Sequence, residues 1–130
     1  MNMDELVAAA REIRENAYAP YSKFKVGAAL RTASGRVFRG CNVENLSFGL
    51  TICAERIAVF AAVAAGETQF EAIAVVADSV QPVTPCGACR QVLIEFSSDL
   101  QIVSANLQDQ RYETTIAALL PRAKEGILGT

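Results

Sequence analysis

Residues 53–77, CAERIAVFAAVAAGETQFEAIAVVA, decide the fold class. The first part is apolar almost all round, which predicts a buried helix from about Cys53 to Ala65 that ends at Gly66. Ala72 to Ala77 is short and continuously apolar, as is typical of a strand covered on both faces. A helix without a polar face is buried within one subunit or between several, so we expect a layered α/β domain that forms an oligomer.

Helices and strands alternate in the flanking sequence as well. The elements expected before residue 53 are a helix over Asp4 to Ala17, two strands over Lys25 to Arg31 and Arg36 to Cys41 with a turn at Ser34-Gly35, and a loop over residues 42–51. Those expected after residue 77 are a helix over Cys86 to Phe96, strands over Gln101 to Ala105 and Arg111 to Thr114, and a short helix over Thr115 to Leu120. We expect a single domain over residues 1–130.

Composition and charge narrow the classes of function. The chain has 130 residues, a net charge of −2 and no cluster of Lys and Arg, so we expect a small-molecule ligand and no nucleic acid polymer. The longest apolar run, Ile57 to Ala65, is nine residues and too short to cross a bilayer. Charges between Asp4 and Glu12 interrupt a possible signal peptide, so we expect a cytoplasmic protein without a membrane partner. The absence of histidine excludes Ser-His-Asp and Cys-His catalysis.

Three of the four cysteines have the spacing of metal ligands. Cys86 and Cys89 are three residues apart at the start of a predicted helix, which places both sulfurs on one side, and Cys53 begins another helix. A helix N-terminus stabilises a thiolate, which is the form of cysteine that binds metal. Three thiolates would hold one zinc ion per chain and leave a fourth position for water, the arrangement of catalytic zinc.

Two charged residues beside Cys53 complete the predicted site. Glu55 can accept a proton from bound water and return it to a leaving group, although an ideal helix would point it away from Cys53. Zinc with three thiolates is a net anion, and this charge opposes ionisation of the water. Arg56 and Arg90 each follow a ligand cysteine, and we predict that Arg56 offsets the charge by donating to a thiolate.

The chain resembles the small homotetrameric cytidine deaminases over nearly its whole length. The matching stretches are residues 19–30 (APYSKFKVGAAL), 40–45 (GCNVEN), 53–56 (CAER) and 85–91 (PCGACRQ). Cys-x-Glu together with Pro-Cys-x-x-Cys is typical of the wider zinc deaminase superfamily. The Asn-x-Glu-Asn stretch at residues 42–45 narrows the resemblance to deaminases of nucleosides.

The resemblance implies a fold, a mechanism and a set of site residues. The fold would be a three-layer α/β/α arrangement with a mixed five-stranded sheet, and the active sites would lie at the subunit interfaces of a homotetramer. Hydroxide on zinc would attack C4 of cytidine or deoxycytidine while Glu55 shuttles protons to N3 and to the departing ammonia. Asn42 and Glu44 would bind the ribose 3′-hydroxyl and reject ligands that lack it. The other implied residues are Phe24 beside the nucleoside, the Ala54 backbone against the pyrimidine, and Gln91 in support.

Two positions depart from the family pattern. Phe48 stands where members commonly have tyrosine, and Lys124 replaces a C-terminal aromatic residue that stacks on the base in an adjacent subunit. Loss of that stacking would cost roughly 1–3 kcal/mol. Three alternatives follow: another group compensates, affinity for plain cytidine is weak, or the preferred substrate is a modified cytosine nucleoside such as blasticidin S.

The cysteines also allow functions other than deamination. Pro-Cys-Gly-Ala-Cys resembles the dithiol of a thiol–disulfide oxidoreductase, but that function leaves Cys53 and Glu55 unexplained. A structural zinc module would need Cys41 as a fourth ligand, whereas we expect Cys41 to be a small core residue. Structural disulfides suit small secreted frameworks, which this chain does not resemble.

Overall fold

The computed structural model describes residues 1–126, and residues 127–130 of the expected domain lie outside the described residues. Each predicted helix and strand is present within a few residues of its expected bounds. In chain order the elements are α1 Met3–Arg14, β1 Val26–Thr32, β2 Val37–Cys41, a 3₁₀ turn at Phe48–Leu50, α2 Ala54–Ala64, β3 Phe70–Ala77, α3 Gly87–Phe96, β4 Gln101–Ala105, β5 Arg111–Thr115 and α4 Ile116–Leu119.

The strands form the expected mixed five-stranded sheet, in the order β2-β1-β3-β4-β5. β3 and β4 are parallel and are connected through α3, whereas the other neighbouring pairs are antiparallel. β3 lies in the middle of the sheet, and Glu71 is its one exposed residue. Burial of this strand on both faces explains its continuously apolar sequence.

Helices cover both faces of the sheet, which confirms the α/β/α layering. On one face, Leu6 of α1 is buried in a cluster with Ala29 and other small residues of the central strands. On the other face, Leu93 of α3 is buried with Leu30 and Ile73 in a cluster that α2 and α4 also join. Neighbouring residues of β1 face opposite layers because side chains alternate along a strand. Within residues 1–126, no helix combines the length and hydropathy that a bilayer crossing requires.

The single chain covers only one side of the apolar helix α2. Ala58 and Ala62 are fully buried against the sheet, whereas Phe60 is 48 % exposed and Val63 is also exposed on the outer side. The expectation that this helix is buried all round is therefore not met within one chain.

Two glycines allow helices to lie directly on the strands. A Cβ atom on Gly27 would lie 2.0 Å from the carbonyl oxygen of Ala10 in α1, and one on Gly40 would lie 2.4 Å from that of Ala54 in α2. Neither contact is sterically possible, so both positions require the absence of a side chain. Gly40 thereby sets the position of the first turn of α2.

The helix α1 is capped at its start and ends earlier than predicted. Asn2 Oδ1 accepts from the backbone N–H of Glu5 at 2.8 Å, and the Glu5 carboxylate accepts from the Asn2 N–H in return. The predicted helix continued to Ala17, but α1 ends at Arg14, where the N–H groups of Asn16 and Ala17 donate to carbonyls three residues earlier instead of four. The Tyr18 N–H then donates to the Asn42 carbonyl at 3.0 Å. This pairing holds residues 18–22 beside the segment that follows β2.

Candidate functional site

The N-terminal ends of α2 and α3 meet and bring three sulfurs together. Cys53 and Cys86 are the N-cap residues of the two helices, and Cys89 lies in the first turn of α3. Their Sγ atoms all lie within 4.8 Å of one another, and those of Cys53 and Cys86 are 4.0 Å apart. The structure thus groups the three predicted cysteines, all as free thiols, and the group does not include Cys41 at the end of β2.

The sulfur group fits a tetrahedral zinc ion. Sulfurs that lie about 2.3 Å from zinc are about 3.8 Å apart in a tetrahedron. The separation of 4.0 Å between Cys53 and Cys86 is close to this value. Cysteine is a preferred ligand of zinc, and three protein ligands are the number that catalytic zinc sites supply.

Hydrogen bonds within the group favour a thiolate at Cys53. A hydrogen bond from the Cys89 thiol, with others from Arg56 and Cys86, lowers the pKa of Cys53 to about 5, although burial opposes ionisation. The same bond to Cys53, together with burial, raises the pKa of Cys89. A divalent cation among the sulfurs would relieve this competition, because it favours the thiolate form of every ligand.

Glu55 is buried beside the sulfurs as the second residue of α2. Its side chain is 5 % exposed. An ideal helix starting at Cys53 would direct Glu55 away, but Cys53 is a cap residue with an extended backbone (φ −72°, ψ 154°), so helical spacing begins only at Ala54. Burial raises the pKa of Glu55 to about 7, and the charge of Cys53 acts in the same direction. A carboxyl group with this pKa can exchange protons near neutral pH.

Arg56 makes the contact with a sulfur that the sequence predicted. Its Nη2 atom donates to Cys53 Sγ at 3.5 Å. Its Nε–H is buried and has no hydrogen-bond partner among the described residues. The guanidinium therefore places a positive charge next to the thiolate of the group.

Arg90, the second arginine that follows a ligand cysteine, has a different function. Its guanidinium donates to no sulfur in the hydrogen bonds of residues 1–126. Its three acceptors are the Pro85 carbonyl at 2.7 Å, Thr84 Oγ1 at 3.0 Å and the Leu119 carbonyl at 3.1 Å. Arg90 thus fixes the loop before Cys86 and connects it to the end of α4.

A cavity of about 270 Å³ lies next to the sulfurs. Its volume is close to the lower end of the range for small-molecule sites, about 300 Å³. The predicted residues that line it are Phe24, Asn42, Glu44, Cys53, Ala54, Glu55 and Cys86. The other residues that line it, none of them predicted as a site residue, are Ser22, Val26, Thr51, Val75, Val83 and Thr84.

Asn42 connects the wall of this cavity to the start of β1. Its Oδ1 accepts from the Val26 N–H and its Nδ2 donates to the Phe24 carbonyl, both at 2.8 Å. A side-chain amide has two N–H donors and two acceptor lone pairs. One donor and one lone pair of Asn42 therefore remain for a ligand after these two bonds.

Glu44 is held by the segment that precedes β1. Its Oε1 accepts from the backbone N–H groups of Tyr21 at 3.0 Å and Ser22 at 3.1 Å, and its Oε2 accepts from the Ser22 hydroxyl. The Ser22 hydroxyl and the two backbone donors lower the pKa of Glu44. Glu44 is consequently an oriented carboxylate at neutral pH.

The structure does not bring Gln91 to the cavity of its own chain. Gln91 is exposed on α3, two residues after the buried Cys89. Two residues correspond to about 200° around a helix, so these side chains leave α3 on nearly opposite sides.

The two positions that depart from the family pattern lie in different places. Phe48 is 73 % exposed and contacts Tyr21 edge to face, with ring centroids 5.9 Å apart. Both rings border a second cavity, of about 420 Å³, which shares Ser22, Glu44 and Thr51 with the first. Lys124 lies near the C-terminal end of α3, where its Nζ donates to the Glu95 carbonyl at 3.4 Å.

Comparisons with known proteins agree with this geometry. The family model of the cytidine and deoxycytidylate deaminase zinc-binding region matches residues 1–105. A cytidine deaminase of Sporosarcina psychrophila is 50 % identical over 124 residues, which are 95 % of this chain and 91 % of the relative. A blasticidin-S deaminase of Bacillus cereus is 33 % identical over 108 residues, which are 77 % of this chain and 76 % of the relative.

A solved structure shares both the fold and the sequence. The crystal structure of cytidine deaminase from Burkholderia pseudomallei has a TM-score of 0.90 at 54 % identity, with 93 % of this chain and 98 % of that chain covered. The zinc-binding family region and the three-sulfur group together identify zinc as the cofactor. From its sequence, its fold and its sulfur group, the chain belongs to the cytidine and deoxycytidylate deaminase family.

Proposed function

We propose that this protein is a zinc-dependent cytidine deaminase of pyrimidine salvage, which hydrolyses cytidine and deoxycytidine to uridine and deoxyuridine. One observation carries the proposal: three sulfurs that fit one zinc ion lie beside the buried carboxyl group of Glu55, on a cavity that Asn42 and Glu44 also line. The relative named cytidine deaminase at 50 % identity supports this substrate.

In the proposed mechanism, zinc held by Cys53, Cys86 and Cys89 supplies Lewis-acid activation of a water molecule when it is bound. Glu55 accepts a proton from that water and transfers it to N3 of the cytosine ring. As the water oxygen bonds to C4, the C4–N3 double bond becomes single. Glu55 then moves the remaining proton of that oxygen to the amino group, and the C4–N bond breaks, which releases ammonia and leaves the C4 carbonyl of the uracil ring. Burial raises the pKa of Glu55 above its ordinary value, which favours a carboxyl group that both accepts and donates a proton.

The polar residues at the other part of the cavity recognise the ribose in this proposal. Asn42 and Glu44 bind the 3′-hydroxyl, and both keep hydrogen-bonding capacity beyond their contacts within the chain. A ligand that lacks the hydroxyl leaves these polar groups unpaired, which costs binding free energy. Phe24 packs beside the nucleoside, and the backbone of Ala54 contacts the pyrimidine.

Assay of a substrate panel tests the proposal. Cytidine, deoxycytidine, cytosine, CMP and blasticidin S are each followed by their loss of ultraviolet absorbance. We expect turnover of the two nucleosides and none of CMP, because the carboxylate of Glu44 repels a nearby phosphate. Failure to deaminate either nucleoside would contradict the assignment. Preferential turnover of blasticidin S would instead support the alternative that the 33 % identical relative suggests.

We also propose that the protein is a homotetramer with its active sites at subunit interfaces. Large apolar side chains are exposed on two surfaces, the loop with Leu46 (77 %) and Phe48, and the outer side of α2 with Phe60. Contiguous exposed apolar surface is typical of an interface, and the loop surface adjoins the nucleoside cavity.

The four free cysteines also fit the reducing conditions of the cytoplasm, where we propose that the protein is located.

Light scattering coupled to size-exclusion chromatography measures the oligomeric state. We expect a tetramer, and we expect Phe60→Asp to dissociate it and to lower activity, because a charge on the outer side of α2 cannot be buried. A wild-type protein that is monomeric and fully active would contradict the proposal.

A further inference from the structure

We infer that Ser22 is a positioning residue that gives the site its selectivity for a ribose 3′-hydroxyl. The inference rests on the proposed function, because it requires that Glu44 recognises this hydroxyl. The selectivity then depends on Ser22, which orients the carboxylate, as well as on Glu44, which carries it.

Ser22 contacts both oxygens of the Glu44 carboxylate. Its backbone N–H donates to Oε1 at 3.1 Å, while its hydroxyl donates to Oε2. A carboxylate that is held at both oxygens cannot rotate without losing one of these bonds, so the one lone pair that remains, on Oε2, points in a fixed direction. Both residues line the cavity of about 270 Å³, so this direction is set at the cavity wall.

The same hydroxyl also fixes the backbone that leads to Phe24. Ser22 Oγ accepts from the Phe24 N–H at 3.0 Å and so bridges across Lys23. Lys23 has a φ of 62°, in the left-handed region that non-glycine residues rarely adopt. Such a conformation persists only when neighbouring contacts hold it, and the Ser22 hydroxyl is one of these contacts. Ser22 therefore orients Glu44 and supports the turn that delivers Phe24 to the cavity.

Ser22 affects binding through the orientation of the Glu44 carboxylate rather than through its ionisation. The hydroxyl lowers the pKa of Glu44 from an ordinary value of 4.5. Without the hydroxyl, Glu44 would still be ionised at neutral pH. Removal of the hydroxyl should therefore weaken binding equally from pH 6.5 to pH 8.

Steady-state kinetics of Ser22→Ala test the inference. We expect KM for cytidine to rise roughly tenfold while kcat stays within about twofold, because the zinc ligands and Glu55 are untouched. The preference for cytidine over 3′-deoxycytidine, expressed as the ratio of kcat/KM values, should fall by roughly the same factor. Ser22→Thr keeps a hydroxyl at this exposed position and should restore both quantities.

A matched control is Ser97→Ala. Ser97 is another serine whose hydroxyl donates to a carboxylate, that of Asp99 at 3.0 Å, and it follows α3 outside the nucleoside cavity. This variant should have wild-type KM, kcat and preference for the 3′-hydroxyl.

The outcomes of these assays distinguish a failure of the proposed deaminase function from a failure of the proposed role of Ser22. A wild-type enzyme that does not deaminate cytidine overturns the proposed function and this inference with it. With an active wild type, a Ser22→Ala variant that keeps its KM and its preference for cytidine overturns the inference alone. A variant that loses kcat and bound zinc together, or a Ser22→Thr variant that behaves like Ser22→Ala, also overturns it, since Ser22 would then serve only the fold.

Discussion

Substitution of Gly40 by alanine should displace the first turn of α2 and thereby the carboxyl group of Glu55, which we propose as the proton shuttle. A Cβ atom at this position would lie 2.4 Å from the Ala54 carbonyl oxygen and 2.6 Å from the Ala58 nitrogen. Non-bonded atoms of these types are in contact at about 3.5 Å, so α2 must move away from β2 by about 1 Å. Ala54 directly precedes Glu55, and the displacement therefore reaches the active site.

The expected effect of Gly40→Ala has two parts. Overpacking of this kind costs about 1–3 kcal/mol of unfolding free energy. A misplacement of about 1 Å at a catalytic group lowers kcat by roughly 100-fold. Denaturant unfolding measures the first effect, and kcat for cytidine measures the second in protein that is folded and loaded with zinc.

Gly27→Ala is a matched control for this substitution. Its Cβ atom would lie 2.0 Å from the Ala10 carbonyl oxygen, so it displaces α1 on the opposite face of the sheet. We expect a comparable loss of stability with a much smaller loss of kcat in the folded fraction. A Gly40→Ala variant with wild-type stability and wild-type turnover of cytidine would contradict the predicted displacement of α2, and so would an equal loss of kcat in the two variants.

Four further substitutions test the electrostatics and the ligands of the site. Arg56→Gln removes the positive charge beside Cys53, so the pH at which activity appears should move upward in a kcat/KM profile; an unchanged profile would contradict this role. Cys41→Ser should keep one zinc per chain by elemental analysis, whereas Cys86→Ser should lose it; loss of zinc from Cys41→Ser would favour a structural zinc module. Glu55 has a folded pKa of about 7, above its ordinary value of 4.5, so burial costs stability as pH rises through this interval. After removal of zinc, the unfolding free energy of Glu55→Gln relative to the wild type should therefore be about 3 kcal/mol larger at pH 8 than at pH 4, as measured by urea unfolding. The same difference between variant and wild type at both pH values would contradict this.

The local pattern of the chain was sufficient to predict most elements and the sulfur group. The spacing of Cys86 and Cys89 in a first helical turn places both sulfurs on one side whatever the rest of the fold does. Likewise, the apolar run in β3 requires cover on both faces, which leads to the layered architecture. The contact between Arg56 and Cys53 could also be predicted, because these residues are three apart across the start of a helix.

Contacts between distant segments could not be predicted from local sequence patterns. Ser22 and Glu44 are 22 residues apart, and no local pattern relates a serine hydroxyl to a carboxylate at that distance along the chain. Arg90 was a candidate partner of a sulfur, but its acceptors include the Leu119 carbonyl, 29 residues away. The bond from the Tyr18 N–H to the Asn42 carbonyl likewise joins segments that are distant along the chain.

The amino-acid sequence alone therefore determined the chemistry of this protein: three thiol ligands, one carboxyl group and one arginine, each within a few residues of a helix start. The geometry of these groups depends on the rise and rotation of a single helical turn, which are the same in every fold. The orientation of Glu44, the acceptors of Arg90 and the position of Gln91 away from the cavity instead follow from contacts between distant segments. These features depend on which segments pack together, and that is a property of the whole core rather than of any local stretch.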